Sequence, residues 1–404
     1  MSSNNRPTCP LCHQPMKKNG TTTKGTTRWR CTTPDCGIST VQPRAHTTDR
    51  HHFTAFINWI NSTASLSTIA ADLGVTRRTL TRWFADFWFI QLPDNTDPHR
   101  VYDQVFIDGT YFHNTCLLVA CTTDHVLTWH WCATEDSFNY GTLLQQLAPP
   151  EVVTTDGQRG ALKAITTHWP TSKVQRCLIH VKRNIQKYVT TRPATPAGKA
   201  LRRLSLQLLA VETAQQAADW TLALHRFHST FGDWLNEKTY LDDVDPTTVP
   251  RFARHNTTWW YTHYRQRSAY RLLERLYKAG NLFVYLNRTD LNTRALKATT
   301  NHLEGGVNAQ LKHLARAHRG TFDEHQRIIM DWWLYLHTEN HDTPESIARA
   351  QDFGRVGKRR AVELIEQDHL QRSGSGDGRP VGFDTGIEHS QSQWVRQGWA
   401  GRSH

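Results

Sequence analysis

Between Val101 and Ile179 the apolar residues of this chain run in short unbroken blocks instead of recurring every third or fourth position. VFIDGTYF, TCLLVACTT and VLTWHWC follow one another with only turn-like residues between them, and EVVTT stands alone further on. Blocks of this length, rich in β-branched and aromatic residues and bounded by Gly, Asn, Asp and Ser, read as strands. The first three therefore predict a meander. Residues 137–147 read as a helix, EVVTT as a fourth strand, residues 157–169 as a second helix, and residues 173–179 as a fifth strand leading into the basic helix HVKRNIQKYV.

Strand meander, helix, strand, helix, strand, helix is the succession of an RNase H-like α/β domain. Two of these strands are predicted to end in Asp-Gly, at Asp108 and Asp156. Neighbouring strands lie about 4.8 Å apart and fix their termini rigidly, so carboxylates at their ends suit hard divalent cations that take oxygen ligands. Asp-Gly after an apolar run is also an ordinary turn, but here two occur in matching context. Gly109 and Gly157 are expected to let a substrate backbone approach each aspartate.

A third acid stands far downstream, in TTNHLEGGVNAQLKHLARAHRG. Glu304 is the sole carboxylate on a predicted helix, and Gly305 and Gly306 follow it directly. Each glycine costs about 1 kcal/mol inside a helix, so the pair argues for close approach to a metal site or a ligand. The competing structural reading is a capping box, with Asn301 as N-cap and Glu304 reaching back to its amide. Glu274, Asp290, Asp323 and Glu324 are rival third acids without comparable neighbours.

The front of the chain carries a second constraint. Cys9 and Cys12 are followed, eighteen residues on, by Cys31 and Cys36. Two short-spaced thiol pairs joined by a hairpin-length segment suit one tetrahedral structural Zn²⁺, with no open position for water. Lys17, Lys18, Lys24, Arg28, Trp29 and Arg30 would decorate this ribbon. Next, Phe53, Phe56, Ile57 and Ile60 form one helical stripe. SLSTIAADLGVTRRTLTRWF then reads as a helix-turn-helix: Ile69, Ala70 and Leu73 on one face, Gly74 in the turn, Val75 at the corner, Thr76 as cap, and Leu80, Trp83 and Phe84 facing inward. Arg77, Arg78, Thr79, Thr81 and Arg82 are left to face a DNA major groove.

After QLPDNTDPHR, a linker, and the strand-rich region, residues 190–297 turn leucine-rich and helical with no convincing strand. Leu201, Leu204, Leu208, Trp220, Leu224, Phe227, Phe231 and Trp234 read mainly as core, while Arg265, Arg267, Arg271 and Arg275 could serve a DNA-contacting face. FDEHQRIIMDWWLYLH predicts an apolar helix packed on the sheet. The 404 residues hold 48 Lys and Arg against 36 acids, a net charge of +12, which favours a polyanionic partner. Neither a signal peptide nor an apolar run long enough to span a membrane is visible, so a cytoplasmic location is expected.

VFIDGTYF, VVTTDGQRGALKAI, RCLIHVKRNI and TTNHLEGGVNAQLK together resemble the Mutator-like DDE transposases of bacterial insertion sequences, in a variant with an N-terminal zinc ribbon. The resemblance covers about residues 9–340. It implies that Asp108, Asp156 and Glu304 are the catalytic triad and hold two Mg²⁺ (or Mn²⁺), and that Cys177 and His180, matching a C-x2-H signature, have a local role beside them. It also implies an oligomer that binds terminal inverted repeats and target DNA in the nucleoid. Hydrolysis at the element's end would free a 3′-hydroxyl, which then attacks a target phosphodiester at the same site. The alternatives are a non-catalytic DNA-binding regulator derived from a transposase, and a nuclease without strand transfer. The expected organisation is a zinc ribbon (1–46), a helix-turn-helix domain (47–92), an RNase H-like catalytic domain in two parts (101–189 and 298–370) split by an all-α insertion (190–297), and a flexible tail (371–404).

Overall fold

The computed structural model describes residues 6–373 except 10, 11, 13, 24, 35, 42–46, 246, 248, 254–257, 287–294 and 302. Lys24, Asp290 and the expected tail beyond Ser373 therefore lie outside the described residues. Two compact units emerge. One draws on the chain up to Pro93, on Gly320–Ile329 and on residues from Asp342 onward; the other comprises Asp94–Arg319 and Met330–His341.

The first unit opens with an antiparallel three-stranded sheet, β1 (Met16–Thr21), β2 (Thr27–Cys31) and β3 (Ser39–Val41), in that order. Its core is small: Cys9, Met16, Trp29 and Cys31, with Cys12, Cys36 and Ile38 against them. The sulfurs thus make up much of what holds this sheet together. Three helices follow, α1 (Thr47–Ile60), α2 (Leu66–Asp72) and α3 (Arg77–Phe84). Phe53, Phe56 and Ile60 on α1 and Leu80 and Phe84 on α3 are buried. Ser65 caps α2 by accepting from the Thr68 amide, and Thr76 caps α3 by accepting from that of Thr79. Gly74 supplies the left-handed residue (φ +64°) that turns the chain between them.

In the second unit β4 (Gln104–Phe112), β5 (Thr115–Cys121) and β6 (Val126–Cys132) form the meander. Then come α4 (Ser137–Leu144), β7 (Val152–Thr155), α5 (Arg159–His168), β8 (Lys173–Arg176) and α6 (Leu178–Val189). The five strands make one mixed sheet in the order β6-β5-β4-β7-β8. β4, β5 and β6 pair antiparallel, while β7 runs parallel to both β4 and β8. The fifth strand is shorter than predicted, because Cys177 is already the N-cap of α6.

The remaining helices and strands of this region are α7 (Pro196–Gln207), α8 (Ala214–Asn236), β9 (Lys238–Tyr240), β10 (Trp259–Tyr261), α9 (Tyr264–Lys278), α10 (Ala309–Ala317) and, from Met330 on, the second half of α11 (Asp323–Leu336). α6 to α9 pack through Val181, Ile185, Leu201, Leu204, Leu208, Trp220, Leu224, Phe227 and Leu273. The expectation of no strand here is corrected, since β9 and β10 form an antiparallel pair. Its WWY segment is aromatic and β-prone, and it is stabilised by Lys238 over the Trp259 ring and Arg267 over that of Tyr261. Arg265 donates to the carbonyls of Lys187 and Tyr188 at the end of α6. Arg271 and Lys278 pair with Glu274.

Alternation along the strands gives the sheet two buried faces. Val105, Ile107, Leu118 and Ala120 meet Tyr140, Leu143, Ala161 and Ile165 of α4 and α5. Leu117, Val119 and Val126 meet Leu311, Met330 and Leu334 of α10 and α11. The chain closes in the first unit with α12 (Pro344–Ala350) and α13 (Arg355–Ser373), where Arg355 pairs with Asp49 and Lys358 with Asp86, both at 2.8 Å. Helix thus continues through residues 371–373, where the tail was expected to begin. Among the described residues no helix is long and apolar enough to cross a membrane.

Candidate active site

The parallel ladder between β4 and β7 ends at the pair Ile107–Thr155. Asp108, within β4, and Asp156, directly after β7, are the next residues along the chain, so the two acids occupy equivalent positions at the edge of the same ladder. β4 does not stop at Asp108 as the sequence suggested. It continues to Phe112 because Thr110, Tyr111 and Phe112 stay paired with β5. What ends at Asp108 is the partnership with β7.

Asp108 lies opposite Val119 on β5, on the face that α10 covers. Its carboxyl is pushed up to about 7, chiefly by burial and then by the negative charge of Asp156 and Glu304. Asp156 Oδ1 accepts from the Gln158 amide at 2.8 Å, the geometry of an Asx turn leading into α5.

Glu304 sits in a π-helical turn, Leu303–Asn308, directly ahead of α10. Leu303 anchors this turn on Phe106 and Cys121, and Asn308 Nδ2 donates to Asp108 Oδ2 at 2.9 Å. The wider turn presents Glu304 and Asn308 from one short segment. The Glu304 carboxylate accepts from Arg183 Nη1 (2.7 Å), and Oε1 is 3.4 Å from Thr300 Oγ1 and 3.3 Å from His180 Nδ1. Among the described residues these are its partners, and the capping box to Asn301 is not formed.

The three acids therefore sense one another's charge, but their oxygens are not a mutually close set. Among the described residues two sets of three or more potential ligands have all their ligand atoms within 4.8 Å of one another: Cys9–Cys12–Cys31–Cys36, and Cys177–His180–Glu304. In the first, Cys9 and Cys36 sulfurs are 3.6 Å apart and those of Cys12 and Cys31 3.4 Å. Four sulfurs at about 2.3 Å from one ion would be separated by about 3.8 Å, so this cluster fits zinc. In the second, Cys177 Sγ accepts from the Thr300 amide (3.3 Å) and hydroxyl (3.2 Å). Burial opposes ionisation of Cys177, yet hydrogen bonding with His180 and Thr300 outweighs it and holds the thiol below its ordinary value. The bond to Cys177 also raises His180, with burial opposing.

Gly109 and Gly157 serve a purpose other than the one expected. A Cβ on Gly109 would overlap the Glu135 carboxylate, and one on Gly157 (φ +86°) would overlap the Arg176 guanidinium. Each glycine admits a side chain of this same protein. Arg176 Nη2 donates to the Asp156 carbonyl at 2.6 Å, and burial lowers its pKa. Glu135 is held over Gly109 because its carbonyl accepts from Gln158 Nε2 at 2.6 Å. Burial raises its pKa, assisted by the charge of Asp156. By contrast, among the described residues a Cβ at Gly305 or Gly306 would meet nothing within 4 Å.

Sequence reasoning missed Glu135, Arg176, Arg183, Thr300 and Asn308. Arg176 and Arg183 lie inside RCLIHVKRNI, and Asn308 follows Glu304 by four residues, which are readable signals; Glu135 arrives from a loop and offered none. Of the rival acids, Glu274 is neutralised by Arg271 and Lys278, and Asp323 and Glu324 open α11. On α3, Arg77, Arg78, Thr81 and Arg82 are exposed, while Thr79 is half-buried and its hydroxyl is 3.0 Å from that of Thr76.

Residues 126–259 match the family model described as "Transposase, Mutator family". That stretch contains Asp156, Cys177 and His180 and excludes Asp108 and Glu304. A transposase for insertion sequence element IS905 from Lactococcus lactis is 26% identical over 150 residues, covering 33% of this chain and 36% of the relative. The aligned region is thus about a third of either protein. Together the two matches and the motifs support a Mutator-like insertion-sequence transposase.

Proposed function

We propose that this protein is a DDE transposase that binds the ends of an insertion sequence and catalyses metal-dependent DNA cleavage and strand transfer, with Asp108, Asp156 and Glu304 as its triad. The observation that carries this reading is the placement of Asp108 and Asp156 at equivalent positions past the β4–β7 ladder, with the Glu304 turn tied to Asp108 through Asn308. The order of the five-stranded sheet supports an RNase H-like domain, and the exposed arginines of α3 support a helix-turn-helix that enters a major groove. The regulator alternative is not favoured.

The donor chemistry fits magnesium. The triad offers only carboxylate oxygens, Asp108 is half-buried beside like charges, and among the described residues the buried Asn308 Oδ1 has no hydrogen-bond partner. Asp108, Asp156 and Glu304 would hold the ions. When bound, the ions supply Lewis-acid activation of the attacking oxygen and neutralise charge on the leaving one. Asn308 fixes the orientation of Asp108, and Gln158 that of Asp156. Arg183 neutralises Glu304 from the α6 side, so Glu304 must exchange that partner before it faces the aspartates. The open space beside Gly305 and Gly306 leaves room for DNA along this turn.

The deciding assay presents labelled element ends and target DNA to wild-type protein and to Asp108→Asn with Mg²⁺. Wild type is expected to nick the ends and join them to target. Retained nicking by the variant would remove Asp108 from the reaction, and nicking without joining by wild type would leave a nuclease.

A further inference from the structure

Cys177 and His180 have no task in the reaction above, yet with Glu304 they form a compact donor set of sulfur, nitrogen and oxygen. His180 Nδ1 is buried and lies 3.3 Å from Glu304 Oε1 without, among the described residues, the geometry of a hydrogen bond to it. Two ligands of a tetrahedral ion at about 2.1 Å each are separated by about 3.4 Å. The spacing is therefore that of two ligands sharing an ion. Around them stand groups of the kind that orient ligands from behind. Thr300 donates twice to Cys177 Sγ, and Arg183 donates to the other Glu304 oxygen.

We propose that Cys177, His180 and Glu304 form a second zinc site, with three protein ligands and one open position. Thiolate and imidazole select zinc-like ions and are poor ligands for magnesium, so this site differs in chemistry from the carboxylate triad while sharing Glu304 with it. An ion held here keeps Glu304 against α6 and away from Asp108. Zinc should accordingly inhibit the magnesium-dependent reaction. This consequence rests on the triad reading, whereas zinc binding itself does not.

The full chain, loaded with zinc and dialysed, tests the site by metal content. Wild type is expected to retain about two ions per chain, one on the four-cysteine cluster, and Cys177→Ser and His180→Ala about one each. Cobalt substitution gives an independent readout. The wild-type sulfur-to-cobalt charge-transfer band should lose the Cys177 contribution in Cys177→Ser while keeping that of the ribbon. One zinc per wild-type chain overturns the proposal whatever the variants do, as does a second ion that survives both substitutions. If wild type binds the second ion and magnesium-driven end cleavage is nonetheless unaffected by it, the zinc site stands and the role given to Glu304 in the triad fails.

Discussion

Asp108→Asn should stabilise the protein at neutral pH in the absence of divalent cations, although it is the substitution expected to abolish activity. The carboxyl of Asp108 rises to about 7, because burial and two neighbouring acids penalise its charged form. A displacement from about 4 to about 7, at about 1.4 kcal/mol per tenfold change in proton affinity, is worth about 4 kcal/mol at most. The sign follows from linkage. A carboxyl whose folded value is raised contributes its stability below the unfolded value near 4, and that contribution is lost as pH rises toward 7. Asparagine is uncharged throughout and can still accept from Asn308 through its amide oxygen. The variant's advantage should therefore be near zero at pH 4, grow between pH 4 and 7, and level off above.

Urea unfolding at pH 5 and pH 8 in chelator-free, magnesium-depleted buffer measures this, with hydrogen exchange of β4 and β7 amides reporting on the strands concerned. A difference between wild type and variant that is the same at both pH values would refute the claim that Asp108 carries the cost. So would a variant less stable than wild type at pH 8. Adding Mg²⁺ at pH 8 should stabilise wild type selectively, since only its carboxylate gains from a cation.

Two further substitutions probe other parts of the chain. Gly157→Ala should destabilise the sheet unit by about 3 kcal/mol, from left-handed strain and the lost Arg176 bond to the Asp156 carbonyl; a shift below about 0.5 kcal/mol in the same urea experiment would show that Arg176 gives way freely. Arg78→Ala and Arg82→Ala should each weaken binding to duplex DNA and lower the log–log salt slope by about one, and an unchanged slope in fluorescence titrations would remove α3 from the DNA surface.

The features legible in the sequence were those set by local chemistry. Cysteine spacing fixed which four sulfurs meet, because a hairpin of that length leaves them few other partners. Continuous apolar blocks gave the strands, and matched Asp-Gly contexts singled out two acids that turn out to share one ladder edge. The end of β4 was harder to read: the block VFIDGTYF is strand-like to Phe112, whereas Asp-Gly suggested a stop at Asp108, and it is pairing with β5 that carries the strand on. The glycines misled for a similar reason. Gly109 and Gly157 look like access points for substrate when read alone, but the space they leave is filled by Glu135 and Arg176, which arrive from a loop and from the next strand.

Glu304 is where local and long-range information divide most sharply. Its neighbours in sequence argued for a helix with a capping box or a close approach, and the structure gives instead a π-helical turn with the carboxylate turned toward Arg183 and His180. A π turn costs backbone regularity, and among the described residues the two glycines that accompany it have no steric neighbour to justify them. Both features make sense if the turn must change the direction of one side chain. Glu304 is held by Arg183 and His180 of α6, and the same turn is already bonded to Asp108 through Asn308, so under the proposed triad this turn is the element that would redirect the carboxylate toward the aspartates.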